Sequence, residues 1–434
     1  MSDSSNNFND SNAALGTTVG RDHNQTINHY HGPQPPTPEP AQPAPSETAI
    51  HPPRVWLSPV DSPNRDALAT ELRLRGIAVE RDGMLAAADL AACLSNVDYC
   101  VVFITSPLAS EREKTLLQWL QNHPETPFSV LIENLSSVQL YHPDSSYLAW
   151  KQLFDRAKNS FTLPTDAPLA AVVAIAQRLA HAIIVPHVRR YPALELVFWS
   201  YAAIPATYHA HLALDWSDLN RGGQPDNAMW ARGHGALCDV RQWLADKPHL
   251  RIHTAKLAYI PAFMFGSVFY FTAGFRLTVE NAYTDSWWRY NPKAGLADDF
   301  LKVEPTPGTN DGGACSLELI IVATQSAVTI QEAITQHIIN QLPTLSHRIH
   351  VAPNKQPEFT VESADQASAI IHSIFQVVRQ RRCQTTHLFG SIPVALALMV
   401  GQQINGLGYF SWHEYDRTKE IYSVDAFPLI STPL

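Results

Sequence analysis

The sequence predicts an α/β protein built mainly from parallel sheets. Three observations predict it. From Arg54 onward, short apolar runs alternate with amphipathic stretches of helical period. Two stretches in the second half of the chain repeat one strand–helix–strand pattern. The first 53 or so residues lack the apolar side chains that a core needs. The expected layout is a disordered tail and proline-rich linker over 1–53, a flavodoxin-like unit over 54–186, and two fused Rossmann-like halves over 187–434. A length of 434 residues fits two or three domains.

Composition bounds the function. There are 31 basic and 40 acidic side chains, a formal net charge of −9. Such a chain lacks the broad basic field that duplex DNA needs, but a local basic pocket for a small anion stays open. Cys93, Cys100, Cys238, Cys315 and Cys383 are scattered and odd in number. They suggest no disulfide framework and no zinc ribbon, and so a reducing cytoplasm. No basic segment followed by an apolar core opens the chain, so no signal peptide is expected. The run Pro168–Val185 is broken by Gln177, Arg178 and His181. It reads as a helix packed in protein, not as a membrane span.

In chain order, Met1–Ala13 is rich in Ser, Asn and Asp, and Pro33–Pro53 is dense in proline. Between them His29 and His31 have strand spacing but no carboxylate framework, so no metal is expected there. Val55–Ser58 is a short strand. Arg65–Arg75 carries Leu68, Leu72 and Leu74 and ends at Gly76, as a helix stopped by glycine does. Strands at Ile77–Glu80, Tyr99–Thr105, Phe128–Ile132 and Ser160–Leu163 alternate with helices at Asp89–Asn96, Ser110–Gln121 and Pro168–Ile184. In the second region, strands are expected at Leu194–Tyr201, Leu319–Ala323, Arg348–Val351, Thr385–Phe389, Tyr409–Tyr415 and Ile421–Val424. Helices are expected at Thr329–Leu342, Ser363–Arg381 and Pro393–Ile404.

The repeat joins Arg251–Tyr283 to Thr385–Asp416. Each copy has a strand, a loop, Ile-Pro, an apolar helix with glycine and an outgoing strand. Pro261 and Pro393 suit the first turn of a helix. Two such halves would face each other about a pseudo-two-fold axis, with a ligand crevice at the carboxyl ends of their strands. Helix N-termini lining that crevice would favour repeated phosphates. The loops expected there are 201–203, 256–259, 324–326 and 389–391. They supply Tyr201, Lys256, Tyr259, Thr324, Gln325, Ser326, Phe389, Gly390 and Ser391.

The stretch HLFGSIPVALALMVGQQIN, followed by YFSWHEYD and IYSVDAF, resembles the SAVED domain, as does the segment ending Asp285-Ser-Trp287-Trp288-Arg289. The resemblance covers about Pro192–Pro428. It implies two CARF-like halves and a bound cyclic di-, tri- or tetranucleotide, in bacterial anti-phage systems (CBASS and some CRISPR pathways). Lys256, Arg276 and Arg289 then become candidates for phosphate, and Trp288 for stacking on a base.

The first unit, with Val55-Trp-Leu-Ser58, ELRLRGIAVERD and DLAACLSNVDYCVVFITSPLASERE, is similar in layout to TIR domains. That likeness implies NAD⁺ as substrate, cleaved at the nicotinamide–ribose bond by a glutamate in a Ser-x-Trp-Cys-x-x-Glu pattern. Here Ser110 matches the serine, Arg112 and Glu113 stand in place of Trp and Cys, and Leu116 stands in place of the glutamate. Glu113 and Glu111 are the remaining catalytic candidates. The combined expectation is an effector that self-associates on binding its ligand and holds no permanent cofactor. The alternative is a non-enzymatic sensor or adaptor. No Walker A, GxSxG or HExxH motif is present.

Overall fold

The structure is a computed structural model. It describes residues 50–58, 62–80, 87–205, 208–220, 226–282, 285–297, 301–305, 314–320, 326–342, 345–351, 361, 363–413, 415–416, 421–422 and 427–430. The chain divides into two units, Met1–Thr48 and Ala49–Leu434. All described residues lie in the second, so His29 and His31 fall outside them.

The N-terminal sheet alternates strand and helix as the sequence predicts. Its elements are β1 (Arg54–Leu57), α1 (Pro63–Leu74), β2 (Ala78–Glu80), α2 (Ala87–Leu94), β3 (Tyr99–Ile104), α3 (Glu111–Asn122), β4 (Phe128–Glu133), α4 (Ser137–Leu140), α5 (Lys151–Asp155), β5 (Asn159–Leu163) and α6 (Leu169–Val188). All pairings are parallel, in the order β2-β1-β3-β4-β5. β3 is buried at every position, as a strand covered on both faces must be. α1 starts at Ser62, whose Oγ accepts from the Arg65 N–H, with proline in its first turn. By length and composition alone, α6 could cross a membrane. It packs here on α1 through Val172, Ile175, Ala176, Leu179 and Ile183, spaced as one helix face.

The middle sheet holds β6 (Leu194–Trp199), β7 (Leu212–Asp215), α7 (Asn227–Trp243), β8 (His249–His253), α8 (Tyr259–Val268), β9 (Arg276–Asn281) and β10 (Ser286–Arg289). The C-terminal sheet holds β11 (Leu301–Pro305), β12 (Ala314–Ile320), α9 (Ser326–Gln341), β13 (Leu345–Val351), α10 (Ala364–Gln380), β14 (Thr385–Ser391), α11 (Val394–Gly401) and β15 (Tyr409–Trp412). A small pair, β16 (Tyr415–Asp416) and β17 (Ile421–Tyr422), precedes the edge strand β18 (Phe427–Ile430).

The repeat holds at the level of topology. The middle sheet runs β7-β6-β8-β9 in parallel, then antiparallel β10. The C-terminal sheet runs β13-β12-β14-β15 in parallel, then antiparallel β18, with β11 added at its far edge. In each half the first parallel strand lies between the second and the third. The two crossovers differ: α9 joins β12 to β13, whereas no helix lies in the described residues between β6 and β7.

The halves meet where α8 crosses α11. A Cβ on Gly266 would stand 2.0 Å from the Leu398 carbonyl oxygen, and one on Gly401 2.2 Å from the Phe263 carbonyl oxygen. Each glycine meets the residue three before its counterpart, so the contact is reciprocal. The pairing also corrects the sequence alignment. The helix N-caps Ala258 and Pro393 correspond, as do Gly266 and Gly401, each pair 135 residues apart (258 to 393, 266 to 401). Pro261 instead sits inside the first turn of α8.

Other expectations change. The strand expected at Leu319–Ala323 lies earlier, at Ala314–Ile320; residues 321–325 are outside the described ones. The segment Trp230–Gly235 has no evident pattern in the sequence, yet it is the first half of α7. Gly233 is required there because a Cβ would come within 2.6 Å of the Trp216 ring. Cys315 and Cys383, expected to stay apart, form a disulfide with Cα atoms 6.0 Å apart. They precede or open the neighbouring strands β12 and β14, and only their pairing brings them together.

Buried charges bind α1 to α7. Glu71 is fully buried and accepts from Arg75 at 2.6 Å and from Arg232 at 2.7 and 2.9 Å. Arg75 Nε also donates to Asp239 at 2.9 Å, and Arg73 pairs with Asp218. Removing one partner of such a group leaves an uncompensated buried charge.

The helix crossing and an open site on α7 make opposite predictions. Gly266→Val forces α8 off α11 and should lower thermal stability by several degrees or abolish folding. Gly235→Ala sits on α7 with nothing within 4 Å and should be neutral or raise it slightly. Thermal unfolding followed by circular dichroism checks both; an unaffected Gly266→Val protein would contradict the crossing.

Candidate ligand cleft

A cavity of about 260 Å³ opens at the carboxyl ends of β6, β8 and β9. Thr254–Tyr259 form one wall, with Tyr201, Asn281 and Ala282 beside them. Val394 and Ala395, from the first turn of α11, form the other. Both halves of the repeat therefore contribute, and the two helices present their N-termini to it.

Neither N-terminus has a side-chain cap. Alanine and proline hold the N-cap positions, which leaves first-turn N–H groups for a ligand or solvent. Among the lining residues Lys256 alone carries a charge. Its backbone is held: the Lys256 carbonyl accepts from the N–H groups of Ser200 at 2.9 Å and Tyr201 at 3.1 Å. Ser200, fully buried, accepts at its Oγ from the Ala258 N–H at 2.9 Å. Thr254 is locked likewise, its hydroxyl donating to the Glu280 carbonyl at 2.8 Å. Rigid backbone, one exposed ammonium and two aromatic side chains therefore surround a space open to helix dipoles. That arrangement suits a flat anion.

Of the predicted residues, the structure brings together Tyr201, Lys256 and Tyr259. Tyr201 is 64 % exposed. Tyr259 is half-buried and lies 6.3 Å from Trp412, ring to ring. Thr324 and Gln325 lie outside the described residues. Ser326 opens α9 and Ser391 closes β14, and Gly390 lies one residue before it.

Four expectations are corrected. Arg276 begins β9, at the end opposite the cleft; its Nη1 donates to the carbonyls of Phe271 and Phe275. Arg289 pairs across from Thr278 and contacts His249 at 3.2 Å, again away from the strands' carboxyl ends. Trp288 is 1 % exposed and belongs to the core, so it cannot stack on a base. The accessible indole is its neighbour Trp287, covered by the Arg251 guanidinium at 3.8 Å. Alternation along a strand decides which of the two faces inward. Phe389 is fully buried under α9, stacked on His413 at 4.6 Å.

Sequence reasoning missed Thr254, Asn281 and Ala395. Small and neutral polar residues carry no signal until the fold groups them. It also missed the polar layer around Phe389. There His387 Nδ1 lies 3.0 Å from His413 Nε2, and His337 lies 4.8 Å from His413, ring to ring. Burial lowers both His337 and His387, the latter to about 4 with a smaller push from His337. Beside them Glu318 is fully buried. Burial alone would raise its carboxyl, but hydrogen bonds from His350 and Arg348 outweigh that and hold it below the usual value.

At the carboxyl ends of the N-terminal sheet, Glu113 caps α3. It accepts from the Ser110 N–H at 2.6 Å and from the Tyr147 hydroxyl at 2.8 Å. Glu111 is exposed and pairs with Lys114 at 2.6 Å. The buried carboxylate of that edge is a third one, Glu133, which accepts from Ser62 at 2.6 Å and Asn64 at 2.8 Å. Among the described residues no group of three or more acidic, histidine or cysteine side chains is placed to hold a metal.

Residues 237–424 match the family model for SAVED, the SMODS-associated and fused to various effectors sensor domain. This part of the chain is therefore a SAVED domain. Among solved structures, the chain is similar to an Acinetobacter baumannii Cap4 SAVED/CARF-domain containing receptor with the cyclic trinucleotide 3′3′3′-cAAA. Identity is 13 %, over 86 % of this chain and 98 % of that one, with a TM-score of 0.45. The same receptor with 2′3′3′-cAAA gives 14 %, 87 %, 99 % and 0.45. A Moraxella osloensis Cap4 receptor gives 13 %, 76 %, 87 % and 0.40. No curated protein matches the chain.

Burial separates the paired tryptophans. Trp288→Ala should cost about 3–5 kcal/mol in denaturant unfolding, whereas Trp287→Ala should cost about 1 kcal/mol. Similar costs for both would contradict the assigned strand faces. The histidines set a pH dependence. His387 binds its proton less readily folded than unfolded, so its contribution is full above pH about 6.5 and is lost as pH falls towards 4. The Tm should drop by several degrees across that window, and less so in His387→Gln.

Proposed function

We propose that this chain is a receptor for a cyclic oligonucleotide, bound in the cleft between the α8 and α11 N-termini. One observation carries the reading. Inside a SAVED domain, two uncapped helix N-termini from the two halves converge on a cavity whose one charged lining residue is Lys256. Phosphates would meet backbone N–H groups and the ammonium. Tyr201 and Tyr259 would stack on bases. Repeated helix ends suit a ligand with repeated phosphates, and a cyclic trinucleotide is the leading candidate. The setting is a cytoplasmic anti-phage response, with no duplex DNA or membrane as partner.

The output is assigned to the N-terminal sheet as a TIR-like effector that self-associates when the sensor fills. Ligand must then favour the assembled state by differential affinity. A parallel β2-β1-β3-β4-β5 order supports a flavodoxin-like, TIR-like unit. NAD⁺ cleavage there would need a carboxylate at the ribose. Glu113 is committed to a capping box and Tyr147, and Glu111 to Lys114. That commitment favours the second reading, in which the unit recruits or oligomerises without turnover.

The test is to incubate the full chain with NAD⁺ and cyclic di-, tri- and tetranucleotides, following nicotinamide release, ligand affinity and mass together. Binding of one ligand with a rise in mass and no nicotinamide supports the adaptor. Release that survives Glu111→Gln/Glu113→Gln would assign catalysis elsewhere in the sheet. Lys256→Ala should weaken the ligand by about tenfold or more. Absence of binding by every member of the panel would overturn the receptor reading.

A further inference from the structure

A second and larger cavity, about 360 Å³, lies between the N-terminal and middle sheets. Its walls include the edge strands β2 and β7, whose outer sides carry no further strand among the described residues. The two edges touch at one point. The Ala213 N–H donates to the Gly76 carbonyl at 3.1 Å, and Gly76 has a positive φ of 95°. A Cβ there would stand 3.3 Å from the Leu212 Cβ, so glycine sets this approach. Beside that contact, Ala203, Ile204 and Pro205 complete the lining of the gap.

The wall is mostly apolar, with four charged residues, Arg54, Arg73, Glu80 and Asp215. Their states differ. Arg73 is neutralised by Asp218. Asp215 is turned to the backbone, accepting from the Ser217 N–H at 2.9 Å and the Ile204 N–H at 3.4 Å. The Arg54 backbone N–H donates to Asp98 at 2.8 Å, a bond that leaves the guanidinium its full charge. Glu80 is half-buried and makes no hydrogen bond or ion pair among the described residues. Two carboxylates and two guanidinium groups line the gap, and Asp218 behind it offsets Arg73, which leaves Glu80 and Asp215 against Arg54. Small-molecule sites are commonly apolar clefts between packed layers, with a few polar groups that fix orientation.

We propose that the gap between β2 and β7 is a second ligand site, for a small organic cation with an apolar body, whose charged end is held by Glu80. The site is separate from the cleft at α8 and α11 and stands whether or not that cleft takes a nucleotide. One loop adjoins both: Tyr201 lines the cleft, and Ile204, three residues on, lines the gap. Occupancy of the gap should therefore be felt at Tyr201.

Benzamidinium is a suitable probe, with benzoate as its isostere of opposite charge. Both are titrated into the full chain by calorimetry, with hydrogen exchange on the same samples. Benzamidinium should bind and slow exchange in 77–80 and 203–205, and benzoate should not bind. Glu80→Gln should weaken benzamidinium about tenfold, and Glu80→Arg should abolish its binding. Glu80 is half-exposed, so neither change threatens the fold, and unchanged thermal unfolding would confirm it. Equal binding of the two probes, binding unchanged in Glu80→Gln, or none at concentrations of about 10 mM would overturn the proposal.

Discussion

The sensor half of this chain depends on one close approach, that of α8 to α11. Two helices whose backbones come this near need residues without a Cβ at the crossing, and Gly266 and Gly401 provide them. Apolar neighbours on both helices, from Ile260 to Val268 and from Ala395 to Val400, are then buried together. The crossing also fixes the two helix N-termini side by side. The cleft is a consequence of this packing more than of any loop, because loops alone would not hold two dipoles aimed at one space.

A second constraint joins the sensor to the unit before it. Glu71, Arg75, Arg232 and Asp239, from α1, its C-cap and α7, bond to one another directly. Hydrophobic contact between helices tolerates sliding. Directional, charge-assisted bonds do not, so this group sets the register of α1 against α7. The N-terminal and middle sheets therefore have a defined joint, and the gap between β2 and β7 is part of its shape.

The polar layer under α9 follows a different logic. Parallel sheets usually bury apolar faces on both sides. Here β12, β13 and β14 place Ser316, Glu318, His350 and His387 on one face, in hydrogen-bonded contacts. Protonation of His387 or loss of the Glu318 charge would disrupt this layer, which ties the C-terminal half to neutral pH.

Much of the architecture was legible from local pattern. Alternating apolar runs and the glycine after α1 are set by near neighbours, so strand and helix order could be read from the chain. The repeat was visible for the same reason, as were Lys256 and Tyr259, placed just after a strand and at a helix start. Side-chain direction was not. Trp287 and Trp288 are adjacent and chemically alike, and only the pairing of β10 with β9 decides which is core. Cations suit phosphates, but strand polarity puts Arg276 and Arg289 at the end away from the cleft. The repeat's register, the Cys315–Cys383 pair and the engagement of Glu113 by Tyr147 all join residues distant in sequence. Sequence by itself determined which elements form, because propensity, caps and periodicity act within a few residues. Tertiary structure alone decided which of their side chains share a cavity, because that depends on strand pairing and helix crossing.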